Sequence, residues 1–566
     1  MKLAISIILS AAFVLTGCRQ AHTPVATPPA AQQPQFSAEG DAAAQSITGD
    51  YLGAQISTIS GDEYEGRGPA TPGDERTRKY LAGELQALGY EPGGVAGTWE
   101  QAFDIVGIDA KMPKQWSFRK DGKTLSLKWH DQYIAASGVQ SPGGAIKDAE
   151  VVFVGYGIQA PEFQWDDFKG VDLKGKVLLM MNNDPDWDPA LFAGNTRLYY
   201  GRWGYKYESA ARAGAAGAII IHTTASAGYP FQVVQSSWSG EQFQLPAGPE
   251  PRIQAQGWAT EDAAKQLAAL GGQDLAQLME SAKSRNFTPV PLGVMTSLQF
   301  NNTVKKKVTA NVAGLLRGSD PKLAHQVVVF TAHHDHLGIG EPDKTGDRIY
   351  NGALDNGAGV AQILAVAKAF KALPTPPRRS VLILFVAAEE QGLLGSAWYA
   401  QHPTFPAGNI AANFNVDGGN VWGRSSDVTY IGKGKSSLDT VIEAFAKRQD
   451  RIVNPDAVPD RGFFYRSDQF SFAKIGVPAF YFHTPEHFRG KPAGFAAQVI
   501  KDWEENRYHQ PSDEFDPNWN FDGMIEDAQL VFLAGLAVAN DDALPTWAAG
   551  DEFEAARKSA LGAVTK

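Results

Sequence analysis

The stretch "VVVFTAHHDHLG", Val327 to Gly338, runs apolar, mostly β-branched residues directly into three histidines and an aspartate. Such a run suits a strand buried on both faces, as in a parallel sheet. From about Gln326 the pattern repeats as strand, loop, helix. "QVVVFTA" precedes a helix carrying Val360, Ile363, Leu364, Ala367 and Phe370, and "SVLILFVAA" precedes a short helix from Leu393. "ANFNVD" leads to a helix with Leu438, Val441, Ile442 and Phe445; "VPAFYFH" is the next strand, and Met524 to Val538 a final apolar helix. This alternation predicts an α/β fold: a doubly wound, mostly parallel sheet covered by helices on both faces. Upstream, Tyr80, Leu81, Leu85 and Leu88 share one helical face, and Gly89 stops that helix.

A chain of 566 residues exceeds what one hydrophobic core organises. Between 120 and 304 a second βα system, "AEVVFVGYGI", "GKVLLMMNN" and "SAARAGAAGAIIIHT", reads as an inserted smaller, β-rich α/β domain. It divides the main domain into 41–119 and 305–545, with a C-terminal tail at 546–566. Within the insert, "GYPFQVVQSSWSGEQFQLP" is too long for a plain connection and is expected to be a lid or substrate-facing loop. A net charge of -11, with no basic cluster beyond Lys305 to Lys307, speaks against nucleic acid as a partner.

The N-terminus, "MKLAISIILSAAFVLTGC", has one basic residue, a short apolar stretch and small residues before Cys18, the only cysteine. No disulfide can form within the chain. Leu15-Thr16-Gly17-Cys18 resembles the bacterial lipoprotein lipobox, which implies a signal peptide over 1–17 and acylation of Cys18. Arg19 after the cysteine implies export to the outer membrane, facing the periplasm, and 18–40, rich in Ala, Pro and Gln, reads as a flexible tether.

Ligands of doubly wound sheets bind beyond the carboxyl ends of the strands. There the titratable residues collect: His333 and Asp335 after the first strand, Asp355 in "NGALDNGAG", Glu389 and Glu390 after "LILFVAA", Asp417 after "NFNV", and His509 in "RYHQPSDEF". Imidazoles and carboxylates without thiolate suit zinc, and also manganese or cobalt. His334, His336, His483 and His487 lie near the same rim and read as ordinary polar histidines.

These motifs resemble the M28 family of metallopeptidases, the co-catalytic dizinc aminopeptidases. "AHHDHLG", "ALDNGAG", "AEEQGLLGS", "NFNVDGGN" and "YHQPSDEF" match its motifs from Ala332 to Asp513, and "EGRGPATPGDERTRKYLAGELQALG" its N-terminal segment. The resemblance implies two zinc ions bridged by Asp355, with His333 and Asp417 completing one ligand set and Glu390 and His509 the other. It implies Glu389 as general base and Asp335 as the aspartate that orients His333. It implies an oxyanion-stabilising tyrosine, best matched by Tyr465, with Tyr508 as its rival and Phe464 as the ungapped match. Leu354 stands where the family often has aspartate. The insert, through "FKGVDLKGKVLLM" and "AARAGAAGAIII", resembles a protease-associated (PA) domain. The implied activity is removal of N-terminal residues from peptides.

Three alternatives stand beside it. A carboxypeptidase of the same fold would need a cation for the substrate's carboxylate, and Arg461, Arg466 and Arg489 are near the rim. A non-catalytic binding protein would have shed ligands or base, and all are present. A serine acyl-enzyme is suggested by Ser471-Phe-Ala-Lys474 and Lys344-Thr-Gly346, but their order is reversed and no S-x-N lies suitably between them.

Overall fold

The structure is a computed structural model that describes residues 34–564. The signal-peptide and Cys18 expectations fall outside the described residues. Twelve strands matter for the site. Six belong to the insert and its connections: β1 (Glu100–Lys111), β2 (Gly143–Phe153), β3 (Val177–Met181), β4 (Gly217–His222), β5 (Ala255–Thr260) and β6 (Val290–Leu316). Six follow: β7 (Val327–His333), β8 (Ser380–Val386), β9 (Ile410–Asn415), β10 (Asp427–Tyr430), β11 (Ile452–Pro455) and β12 (Ala479–His483).

Strand β7 is the centre of the main sheet. It pairs in parallel with β8 on one side and β9 on the other, and β9 pairs in parallel with β12. β6 joins β8 antiparallel, and β10 joins β12 antiparallel with β11 parallel beyond it. The sheet is therefore mixed, with a parallel core and antiparallel additions at both sides. Alternate residues of β7 serve different cores, as the two-residue side-chain period requires. Val328, Phe330 and Ala332 pack with the helices Ala358–Ala372 and Asp522–Asn540, whereas Val327 and Val329 pack with Tyr399, Phe472 and Val477 on the other face. Burial on both faces is why its sequence is continuously apolar.

Helix Pro72–Ala87 begins where the Thr71 side chain accepts the amide of Asp74 and Pro72 opens the first turn, and it ends before Gly89 at φ +80°. That glycine conformation is inexpensive only without a Cβ.

The insert has its own parallel strands, β2-β3-β4-β5, and its own core around Trp116, Phe153, Leu179, Ile219 and Leu267. The sequence boundary at 304 and 305 falls inside β6, which runs unbroken through both units. Its first half alternates buried and exposed up to Asn302 and pairs with β2, while from Thr309 onward it is continuously buried. β1 pairs antiparallel with Asn301 to Val312 of β6, so both connections to the insert are strands of one ribbon. A ribbon is a stiffer mount than two loops.

Two terminal expectations are corrected. Residues of the supposed tether are ordered before Gly40: Phe36 meets Phe445 edge-on at 5.1 Å, and Ser37 caps the helix Ala38–Ala44. The supposed tail carries the helix Glu554–Val564, whose buried Arg557 donates to the Ile410 carbonyl at 2.8 Å, and Trp547 donates to the Gly476 carbonyl at 2.9 Å. Among the described residues no helix is long and apolar enough to cross a membrane.

His222 closes β4 within an aromatic nest of Phe231, Trp258 and Tyr229 at 5.3, 6.0 and 6.1 Å, and its Nε2 has no partner. Burial pushes its pKa down to about 4. Because the folded value lies below the unfolded ~6.5, the unfolded chain takes up the proton first as pH falls, and stability is lost between those values. At pH 5 the loss is about 2 kcal/mol. Denaturant unfolding of His222→Phe at pH 7 and pH 5 should show that this increment has gone; an unchanged acid loss would mean the imidazole is not its source.

Candidate metal centre

The centre forms where β7, β8 and β9 end. Asp355 lies between two imidazoles: its Oδ1 is 3.3 Å from His333 Nε2 and its Oδ2 is 3.3 Å from His509 Nε2. His333 Nε2 is also 3.2 Å from Asp417 Oδ1, and His509 Nε2 is 3.1 Å from Glu390 Oε2. Two donors bound to one tetrahedral ion at the usual 2.0–2.1 Å sit about 3.3 Å apart. The donor types fit cations sharing Asp355: His333 and Asp417 gather with it on one side and His336 and Glu390 on the other, with His509 beside Glu390.

Electrostatics make the same point. Burial alone would lower the pKa of His333, but Asp417, Glu389, Asp335 and Asp355 outweigh it and push the value well up. His509 is carried to about 10 in the same way by Glu390 and Asp355. The cluster is a buried excess of negative charge, which cations neutralise.

Each motif has a local reason. Asp513, four residues after His509, accepts the amides of Leu354 and Asp355 at 3.0 Å each, so one loop supplies an imidazole and grips the backbone of the shared carboxylate. Leu354 contributes that amide while its side chain packs in the core, which explains how a leucine is accommodated there. The Asn356 side chain accepts the amides of Gly359 and Gly418 at 2.9 and 2.8 Å. A Cβ at Gly359 would lie 2.1 Å from Asn356 Oδ1, which is why glycine stands there. Asp335 takes the amides of Glu389 and Glu390 at 3.0 and 3.3 Å. His333 Nδ1 is nearer the Asp335 carbonyl, at 3.2 Å, than its carboxylate, at 3.7 Å, so Asp335 steadies the two glutamates more directly than the histidine.

Glu389 sits beside this cluster. Burial, then the charges of Asp417, Glu390 and Asp468, raise its pKa well above the ordinary carboxylate range against the pull of His333.

Tyr465 is a correction. Its hydroxyl donates to Glu552 at 2.6 Å and its ring packs on Phe470 and Phe464 at 5.1 and 5.3 Å, so it is satisfied within the C-terminal apolar cluster and not directed at the metal centre. Tyr508, its rival, lies with its ring 4.0 Å from that of His509. His336, read from sequence as an ordinary polar histidine, is fully buried with Nδ1 2.7 Å from Glu390 Oε1, and forms a second possible donor group with Asp355 and Glu390. His334 pairs with Asp74 at 3.1 Å and His487 is 3.5 Å from Asp427; neither belongs to the cluster.

Two contributors lie in segments that the sequence singled out, although neither residue was named there. Ser237, in the long insert loop, lies 2.6 Å from His509 Nδ1, and in the same loop the Phe243 amide donates to the Gln391 side chain at 2.8 Å. The loop folds as the helix Phe231–Ser237 and the strand Glu241–Gln244, the latter paired with β1. Buried Arg67 donates to the carbonyls of His334, Ile59, Asn351 and Gly352 at 2.9, 2.9, 2.5 and 2.8 Å, fastening the loop after β7 to the loop before Asp355.

The structure thus joins a parallel-centred α/β sheet to a cluster of carboxylates and imidazoles at its carboxyl rim that could hold metal ions. Residues 311–533 match the model of Peptidase family M28. The aminopeptidase YwaD of Bacillus subtilis is 25% identical over 215 residues, covering 37% of this chain and 40% of that protein. A probable leucine aminopeptidase 2 of Aspergillus oryzae is 30% identical over 131 residues, 23% of this chain and 21% of that protein. A vacuolar membrane protease of Yarrowia lipolytica is 31% identical over 135 residues, 24% of this chain and 12% of that protein. The chain thus spans well under half the length of these curated relatives. The aminopeptidase structure from Aneurinibacillus sp. strain AM-1 shares the fold, with a TM-score of 0.53, 18% identity, and coverage of 89% of this chain and 97% of that one.

Proposed function

We propose that this protein is a two-metal exopeptidase that removes N-terminal residues from peptides. The observation that carries the reading is Asp355, whose two oxygens face His333 and His509, each with a second carboxylate beside it and Glu389 adjoining. The match to the M28 model and the aminopeptidase names of its relatives support it.

His333, Asp417 and Asp355 would hold one cation, and Glu390, His509 and Asp355 the other, with zinc favoured by the donor set. When bound, such cations supply a Lewis acid and lower the pKa of water near them. The chain's own part is proton handling and orientation. The Glu389 carboxylate takes the proton of the attacking water and returns it to the leaving amine. Asp335 fixes Glu389 and Glu390 through their amides, so base and ligand keep one relative position. The insert, read as a PA domain over 120–304, brings Ser237 to His509 and narrows access, which favours short peptides. The lipobox-like segment supports export to the bacterial envelope with a lipid on Cys18, tethered to the outer membrane.

Leucyl, alanyl and lysyl p-nitroanilides, offered beside N-blocked peptides with free C-termini, test the activity. Chelator-sensitive release from the free-amine substrates alone is expected. Cleavage of the blocked peptides alone would make it a carboxypeptidase, and silence on both a binding protein.

A further inference from the structure

Four arginines meet where the insert faces the main sheet, and they differ in whether they are satisfied. Arg197 donates to the Ser226 carbonyl at 2.6 Å, and Arg461 pairs with Glu504 at 2.5 Å. Arg466 has no carboxylate within ion-pair distance among the described residues, and its enclosed Nη1 has no hydrogen-bond partner. Its guanidinium instead lies over the rings of Phe463 and Tyr229, at 4.9 and 5.2 Å. Arg202, also without an ion pair, adds positive charge nearby and has its own pKa lowered to about 10 by burial and then by Arg466.

A chain of aromatic rings connects Arg466 to the metal centre. Tyr508 rests its ring on that of His509 at 4.0 Å and lies 6.4 Å from the ring of Tyr229, which Arg466 covers. Tyr481 is in register with Asn415, two residues before Asp417. Burial by itself would lower the Arg466 pKa, but Tyr508, Tyr229 and Tyr481 outweigh it. The cation is thus held by phenols and aromatic faces, which satisfy it incompletely. An enclosed donor without a partner costs about 1–3 kcal/mol, a cost that an arriving anion removes.

We propose that Arg466, with Tyr508 beside it, is a subsite for a carboxylate of the peptide substrate, so that the enzyme is built for short peptides carrying that charge next to the scissile bond. This rests on the exopeptidase reading. The carboxylate can be the C-terminus of a dipeptide or an acidic side chain, and both present the same chemistry to a guanidinium fork.

The test is equilibrium binding to zinc-loaded Glu389→Gln protein, which reads the subsite without turnover. Leucyl-glycine is expected to bind on the order of tenfold tighter than leucyl-glycinamide, as a charge-assisted hydrogen bond allows. Adding Arg466→Gln should bring that ratio near one, and Arg466→Lys should keep part of it, which also controls for folding. An Arg466-dependent preference for leucyl-glutamic acid α-amide over leucyl-glutamine amide would instead assign the side-chain carboxylate and equally support the subsite. Equal binding of acids and amides overturns the proposal, as does a preference that survives in Arg466→Gln, which would place the carboxylate on the metals. Loss of acid and amide binding alike in Arg466→Gln would also overturn the carboxylate subsite and make the arginine a general positioning group. Hydrolysis of leucyl p-nitroanilide by the unsubstituted protein separately decides the exopeptidase reading.

Discussion

Glu389→Gln is expected to lower kcat on leucyl p-nitroanilide by roughly 10²–10⁴-fold, the range of a positioned general base, with both metals retained. The amide is nearly isosteric but cannot accept the proton. The bond from the residue 389 amide to Asp335 is a backbone contact and survives the substitution. Glu389 is also absent from both donor groups around Asp355, so its replacement removes no ligand. What changes is a half-buried carboxyl whose proton affinity is raised first by desolvation and then by Asp417, Glu390 and Asp468. A carboxyl so placed can bind and release a proton within one cycle, whereas an ordinary exposed one would be a weaker acceptor. Steady-state kinetics beside elemental analysis of the metal content checks both halves. Metal loss equal to that of a ligand variant would move Glu389 from base to ligand.

The core of the fold was legible because β7, β8 and β9 are buried on both faces and so write their burial as unbroken apolar runs. The cluster was legible for a related reason: strand ends are fixed points, and His333, Glu389, Glu390 and Asp417 follow such ends within a few residues. Side-chain direction after a turn was not. Phe463, Phe464 and Tyr465 form one tight turn after Gly462 at φ +65°, so neighbouring residues point to different places, and one residue's offset separates Tyr465 on Glu552 from Arg466 over Tyr229. His336 and His509 illustrate the same limit, since both reach Glu390 and spacing does not choose between them. Contacts across long separations were not legible residue by residue, although the loop holding Ser237 was expected to face the substrate and Arg67 lies in the matched N-terminal segment. Ser237 meets His509 across 272 positions, and Arg67 meets His334 across 267. The ordered C-terminal helix was hidden by a short sequence of mostly small residues whose anchor is a buried arginine bound to carbonyls.

Asp355→Asn should abolish joint metal loading while leaving the fold in place. The backbone at this position is held independently of its side chain, by Asp513 on the amides of Leu354 and Asp355 and by the Asn356 side chain on Gly359 and Gly418. The carboxylate is what the two imidazoles share, at 3.3 Å on either oxygen. Burial favours its neutral form, yet hydrogen bonds from His333 and His509 hold its pKa well below the ordinary range, so it meets cations already ionised. Asparagine keeps the shape, loses the charge, and offers a single acceptor oxygen where two are needed. A loss at or beyond the ~100-fold that outer partners of a ligand can cost is therefore expected in zinc affinity. The consequence is readable without turnover. Zinc at a hundredfold excess over its dissociation constant stabilises the native protein by about 2.7 kcal/mol, and a hundredfold weaker site reduces that gain to about 0.4 kcal/mol. Unfolding of wild type and Asp355→Asn with and without zinc should therefore agree in the chelated state and diverge in the loaded one. Equal zinc stabilisation of the two would show that His333 with Asp417, and Glu390 with its histidines, suffice separately, and Asp355 would cease to be the bridge.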